Sequence, residues 1–297
     1  MLAAKGIFAK QLYALGVDFE TVSAARSVLA VPGFALIALL SGSFRSEVKL
    51  KVPHVAGAIG AGLICYYFGS VINFYALTLI DASVERPLLF TFPAIVMLLR
   101  AMLGLAPITR PAMGALFMTF IGIALVVGID SAEVLNANLE GAIWVFVCAV
   151  TIAIYFLVSA RISPVMGSAM FTLLAMSSAA SAFAVHYSLR HGWMNLSLSS
   201  EAWAWLVALV LVATIIPLSL MAEGLRRIGS QRAAFASTIG PPATAIMAAV
   251  FLDEQLTAVQ LLGIAIVSGT IVYLEIEARQ YGRQYNQTAF NVRTFDL

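Results

Sequence analysis

Ten apolar runs, at residues 2–16, 22–42, 53–79, 83–104, 109–129, 140–160, 165–189, 201–225, 231–252 and 257–276, take up nearly the whole chain. About 20 apolar residues in helical form cross a hydrocarbon core about 30 Å thick. Water does not reach that core, so a spanning segment must close its own backbone hydrogen bonds. The runs therefore predict an all-α polytopic membrane protein with ten transmembrane helices. Composition agrees: 61% of the 297 residues are hydrophobic and 11% charged, where a soluble domain carries about 25% charged residues. Short connections leave no room for an added soluble domain. The first run is short for a crossing and holds Lys5 and Lys10; it is tilted, shielded by neighbours, or part of a chain that begins further upstream. No cleavable signal pattern opens the chain, which makes this run an anchor and the plasma (inner) membrane the expected location.

A net charge of +2 is too small to suggest a nucleic-acid partner, but its distribution is informative. With a cytoplasmic N-terminus, twelve of the 17 basic residues fall in inner segments and only Arg86 and Arg190 in outer ones; Lys5, Lys10 and Arg26 sit in or against spans. This bias predicts both termini inside. Asp18, Glu20, Asp130, Glu133, Asp253 and Glu254 then lie on the outer side. The two cysteines, Cys65 and Cys148, fall inside apolar runs, which suggests neither a disulfide nor a metal site. No cofactor is implied. Lipid is the expected surrounding, and a monomer is compatible with the sequence.

Two apolar runs are broken, one by Thr91-Phe92-Pro93 and the other by Gly240-Pro241-Pro242. Proline inside a helix deletes a backbone hydrogen bond and clashes with the preceding turn. Broken backbone survives at membrane depth only where it is buried in protein or lines a wet cavity. Pro93 and Pro241 fall on each other at an offset of 148 (241 − 93), as do Tyr75 to Asp81 and Glu223 to Gly229; Gly114 meets Gly263 after a one-residue slip. The chain accordingly divides into residues 1–130, residues 139–278 and a cytoplasmic tail, 279–297. Five spans per half is an odd number, so the second half enters the membrane inverted. Interrupted helices at matching places of inverted repeats point to a transporter's binding site, and Pro93, Gly240, Pro241 and Pro242 are candidate helix-break or gating residues.

Phe251-Leu252-Asp253-Glu254-Gln255-Leu256-Thr257, followed by Gln260-Leu261-Leu262-Gly263 and preceded by Ile228-Gly229 and Gly240-Pro241-Pro242, resembles the second repeat of the EamA family in the drug/metabolite transporter superfamily. The first repeat resembles the same pattern from Phe74-Tyr75-Ala76-Leu77 to Gly122, with Gly104-Leu105-Ala106-Pro107 in place of the acidic turn. Lys10 and Arg26 stand where such proteins often carry basic residues. Within the superfamily the chain most resembles the YddG-type exporters of aromatic and other neutral amino acids. The resemblance implies a ten-helix basket of two inverted five-helix repeats, with spans 3, 4, 8 and 9 lining a central cavity and spans 1 and 6 completing it. It implies no catalytic set.

Helical spacing supplies the candidate substrate-binding residues. Tyr66, Ser70, Asn73 and Leu77 share one face of the third span, and Asn73 is expensive to expose to lipid. Tyr75, in the family-like motif, reaches towards the same space. Trp144, Cys148, Thr151 and Tyr155 form a second stripe on the sixth span; Trp144 suits either an interfacial belt or the cavity. Aromatic faces attract an ammonium and cover an apolar side chain. Lys10, mid-span, is the charged candidate, as a carboxylate partner, as a gate, or as a lysine that snorkels or pairs with an acid. Glu85 and Arg86, at the outer end of the fourth span, read as paired surface charges or as a gate, and Glu223 with Arg227 as an ion pair or a proton site. The function expected is alternating-access export of neutral and aromatic amino acids. A nucleotide-sugar or sugar-phosphate carrier would need fixed positive charge in the cavity, for which only Lys10 and Arg26 are on hand. A membrane-embedded hydrolase would need a nucleophile and base or a metal cluster at depth, yet His54, His186 and His191 all fall at span ends. Few acids lie at bilayer depth, which favours facilitated export or weak proton coupling.

Overall fold

Helix starts carry the side chains that satisfy orphan backbone N–H groups. Asp18 accepts from the Thr21 amide at 2.9 Å, Ser199 from Ala202 at 3.1 Å and Thr109 from Ala112 at 3.2 Å. Gly128 and Gly167, at φ of 92° and 83°, end two helices in the left-handed region. The structure, a computed structural model, describes residues 4–41, 51–105, 107–192, 198–220, 240–274 and 276. Its helices are α1 Lys5–Ala14, α2 Phe19–Leu40, α3 Val52–Leu79, α4 Ala82–Met102, α5 Arg110–Val127, α6 Ala132–Met166, α7 Ser168–His191, α8 Ser200–Leu220, α9 Gly240–Leu252 and α10 Ala258–Leu274. The seven from α2 to α8 are long and apolar enough to cross a membrane; α1, α9 and α10 are shorter among the described residues.

Apolar side chains left outside, such as Leu39, Phe117, Phe120, Leu189 and Val250, are what a lipid-facing surface requires. Inside, α3 packs against α2, α6 and α7, and α4 against α6 and α9. The short α1 is shielded by α3, α4, α8 and α9, and its Ile7, Ala9 and Leu12 are buried. Close packing of α5 on α10 depends on Gly122 and Gly263. A Cβ at Gly263 would meet the Gly122 carbonyl at 2.7 Å.

The break in α4 is a short interruption at Phe90 and Thr91, where the Thr91 amide turns back to the Leu88 carbonyl at 3.1 Å. Pro93 sits in the first turn of the segment that follows, a place where its missing N–H costs little. Pro241 and Pro242 likewise stand in the first described turn of α9. The rest of the predicted ninth span, residues 231–239, and the Glu223–Arg227 pair lie outside the described residues. The Phe90 ring covers Gly240, whose added Cβ would lie 2.8 Å from Phe90 Cζ, so the interruption in α4 touches the first described turn of α9.

Two further irregularities match across the halves. α3 opens into a wider π-helical stretch at Leu63–Gly69, and α8 does so at Leu211–Ile215. The stretches begin 148 residues apart (211 − 63), as do α3 and α8 (200 − 52) and α5 and α10 (258 − 110). Pro217 and Gly69, again at that offset, are the residues that weaken the regular ladder there.

Candidate functional site

The short α1 ends at Ala14 and runs about 15 Å, at about 1.5 Å per residue, from there to Lys5. Lys5 is therefore carried deep into the helix assembly. It shares the buried face of α1 with Ala9 and Leu12, at i, i+4 and i+7. Its ammonium donates to Asn73 Oδ1 and lies 3.5 Å from Glu85 Oε1. Asn73 Nδ2 donates to the same Glu85 oxygen at 2.7 Å. Asn73 and Glu85 are 2% and 1% exposed, so α1, α3 and α4 share one buried charge-assisted triad.

Beside it, Arg26 of α2 donates from Nη2 to Ser70 Oγ at 2.5 Å. Its Cζ lies 5.2 Å from the centre of the Phe74 ring, and the Lys5 Nζ lies 5.3 Å from the same centre. One aromatic ring thus serves two buried cations. Arg86 points elsewhere, over Phe90 at 5.4 Å, and its Nε has no partner. An aromatic chain joins these places. The Tyr66 hydroxyl donates to Tyr155 at 2.9 Å. Ring centres then step from Tyr66 to Tyr155 (4.9 Å), Phe156 (6.2 Å), Phe92 (4.9 Å) and Phe90 (6.1 Å). Tyr66 stands within the π-helical stretch of α3, and such stretches are frequent at functional sites.

The Tyr66, Ser70, Asn73 and Leu77 stripe therefore turns inward as its spacing predicts, with Leu77 fully buried. Tyr155 joins Tyr66, but Tyr75 and Trp144 form a separate group. Their rings lie 6.2 Å apart, Phe19 packs on Tyr75 at 5.4 Å, and the Tyr75 hydroxyl donates to Glu140 at 3.3 Å. Lys10 pairs with an acid, facing Asp81 at 3.7 Å at side-chain exposures of 23% and 55%, while the neighbouring Lys5, 15% exposed, is the lysine that reaches the buried Glu85. Glu85 and Arg86 are not a surface pair. Both are buried, and Glu85 spends its carboxylate on Lys5 and Asn73. The whole Ala82–Leu89 segment is buried because the acidic turn after α9 covers its start. Glu254 accepts from the Ala82 and Ser83 amides at 2.9 and 3.0 Å and from the Ser83 hydroxyl at 2.5 Å, capping the positive end of α4.

At the same end of the molecule Asp18, Glu20 and His191 bring ligand-type atoms within 4.8 Å of one another. Their groups are already engaged. Asp18 caps α2, while Glu20 holds Arg190 and His191, each at 2.6 Å.

The sequence profile of the EamA-like transporter family matches residues 1–128 and 139–274. An uncharacterized transporter of Bacillus subtilis (strain 168), YcbK, is 29% identical over 286 residues, covering 95% of this chain and 91% of its own. A solved crystal structure superposes over 94% of this chain and 98% of its own with a TM-score of 0.61 at 18% identity, which shows a common fold.

Proposed function

We propose, from the premise that this chain belongs to the EamA-like transporter family, that it exports neutral and aromatic amino acids and similar small molecules by alternating access. The carrying observation is the buried group of Lys5, Arg26, Asn73 and Glu85 on the Phe74 ring, continued by the Tyr66–Tyr155 aromatic chain. Charge inside a membrane protein is costly and marks a substrate or ion path. An amino acid offers complementary parts: a carboxylate for a cation and an apolar side chain for the aromatic wall. The proposed frame is ten spans in two inverted repeats, in a plasma or inner membrane with both termini cytoplasmic. The family profile's two matches and the recurring offset of 148 support it. The acidic end, with Asp81 and Glu254, is then the outer one. Reconstitution into proteoliposomes tests the function. Labelled phenylalanine should exchange down its gradient well above empty liposomes, and absence of flux for every amino acid would refute it. Repeating the flux with an imposed pH gradient separates proton coupling from facilitated diffusion.

One observation favours a second reading. Lys5, Arg26 and Arg86 are interior cations, of which only Lys5 pairs with an acid, and Glu85 is the one buried acid among the described residues; this is more fixed positive charge than Lys10 and Arg26 promised. A sugar-phosphate or nucleotide-sugar carrier would use such an excess. Its distinguishing result is exchange of an organic phosphate with no exchange of amino acids.

A further inference from the structure

We infer that Arg26 is the receptor for a carboxylate on the transported molecule, and that the body of the ligand lies along Tyr66, Tyr155, Phe156 and Phe92. This deepens the export reading and rests on it for the idea that the interior binds cargo. Arg26 is 6% exposed, and the only hydrogen bond its guanidinium makes among the described residues runs from Nη2 to the neutral Ser70 hydroxyl. Its Nε is buried with no partner, and no described carboxylate pairs with it. Glu85, the one buried acid among the described residues, is committed to Lys5 and Asn73. A buried cation without an anion keeps an uncompensated desolvation cost, and the Phe74 face offsets only part of it. An incoming carboxylate recovers the remainder.

Guanidinium geometry narrows the ligand class. Its planar fork matches a carboxylate through two parallel N–H···O bonds. Ser70 fixes one terminal nitrogen and so orients the plane, leaving other donors for the ligand. Tyr66, four residues before Ser70 and so on the same face of α3, begins an aromatic chain that runs away from the cation towards the α4 break. An organic carboxylate with an apolar or aromatic body fits both ends. The ammonium of an amino acid adds to the fit without being required by Arg26.

Binding to the purified, full-length protein in lipid nanodiscs tests the assignment with four probes: L-phenylalanine, 3-phenylpropionate, L-phenylalaninamide and phenyl phosphate. The two carboxylates should bind about tenfold or more tightly than the amide, as the loss of a charge-assisted hydrogen bond implies. Arg26→Gln should abolish the preference for acid over amide. Arg26→Lys, which keeps the charge and loses the fork, should reduce that preference at least several-fold, and it carries the test if the glutamine variant does not fold. Equal binding of acid and amide, preference for phenyl phosphate, an unchanged preference in Arg26→Lys, or no binding of any probe overturns the inference. The outcomes separate the two readings. Binding of 3-phenylpropionate without amino-acid flux leaves the receptor standing and removes amino-acid export. Equal flux of phenylalanine and its amide keeps export and removes the receptor.

Discussion

At the offset of 148, α3 and α8 agree start for start, and each widens into a π-helical stretch at the same step. Side-chain chemistry parts company on that shared frame. Arg26, Ser70, Glu85 and Arg86 fall on Leu174, Leu218, Ala233 and Ala234 of the second half, and Lys5 falls on Ala153. The reverse holds at the turn after α9, where Glu254 falls on Ala106 of the first half. Duplicated backbone with unduplicated charge fits the proposed reading of a single small cargo. On that reading two similar halves would rock around one fixed site, and a second buried charge group would add a desolvation cost with nothing to bind. The charge of the first half and the capping acid of the second meet at α4, which holds Glu85 and whose first amides Glu254 caps.

The largest expected break in this comparison comes at Glu85. Glu85→Gln leaves the Lys5 ammonium buried without its anion, and removing one member of a buried pair costs about 3–5 kcal/mol. Thermal unfolding in detergent should show a large drop. Lys5→Met combined with Glu85→Leu removes both charges of the pair, as in the second half, and leaves Asn73 as the polar member of the triad. Since replacing a whole buried pair by apolar residues is often neutral or stabilising, the double variant should recover most of the loss while failing to transport. A double variant no more stable than Glu85→Gln would show that the pair does not act as a unit.

Much of the frame is legible in the sequence because hydropathy reports lipid contact. The apolar runs 22–42, 53–79, 83–104 and 109–129 lie within a few residues of Phe19–Leu40, Val52–Leu79, Ala82–Met102 and Arg110–Val127. Hydropathy misses the extent of α6, which runs Ala132–Met166 where the apolar run spans 140–160, since a helix continues beyond lipid when its cap and polar first turns sustain it. Ser131 supplies that cap. The inward stripe on α3 is legible because Asn73 is costly in lipid. Lys5 and Glu85 are harder to read. Their pairing joins residues distant in sequence, and the start of a span is buried only because the turn at Glu254 folds over it. One overlooked sign is that Lys5, not Lys10, continues the Ala9 and Leu12 face. The π-helical stretches have a sign too, in Gly69 and Pro217 at the repeat offset.

A smaller effect sharpens the contrast between Glu254 and Ala106. Glu254→Ala strips the α4 start of its acceptor for two amides and a hydroxyl, and loss of such a cap costs about 1 kcal/mol. Hydrogen exchange at the Ala82 and Ser83 amides should speed up, with little change in the middle of α5. Unaltered exchange at both amides would show that Glu254 does not hold the two halves together there.

The smallest effect is a dependence on pH at the neighbouring Asp81. Partial burial, then the Glu254 carboxylate, raise the pKa of Asp81, with Lys10 acting in the opposite direction. A raised carboxyl pKa means that the protonated form is favoured by the fold. The stability it contributes is full below the ordinary Asp pKa, about 3.9, and is lost as pH rises through the raised value. Asp81→Asn keeps the size and removes that loss, at the expense of a half-exposed contact with Lys10 that is worth about 0–1 kcal/mol at most. The melting temperature of the variant relative to the native chain should therefore climb between about pH 4 and pH 7. In a Glu254→Ala background, compared with Glu254→Ala itself, the climb should be shallower, because the second carboxylate is part of its cause. A difference that falls with pH would mean that the Lys10 pair outweighs burial and the Glu254 carboxylate together at Asp81.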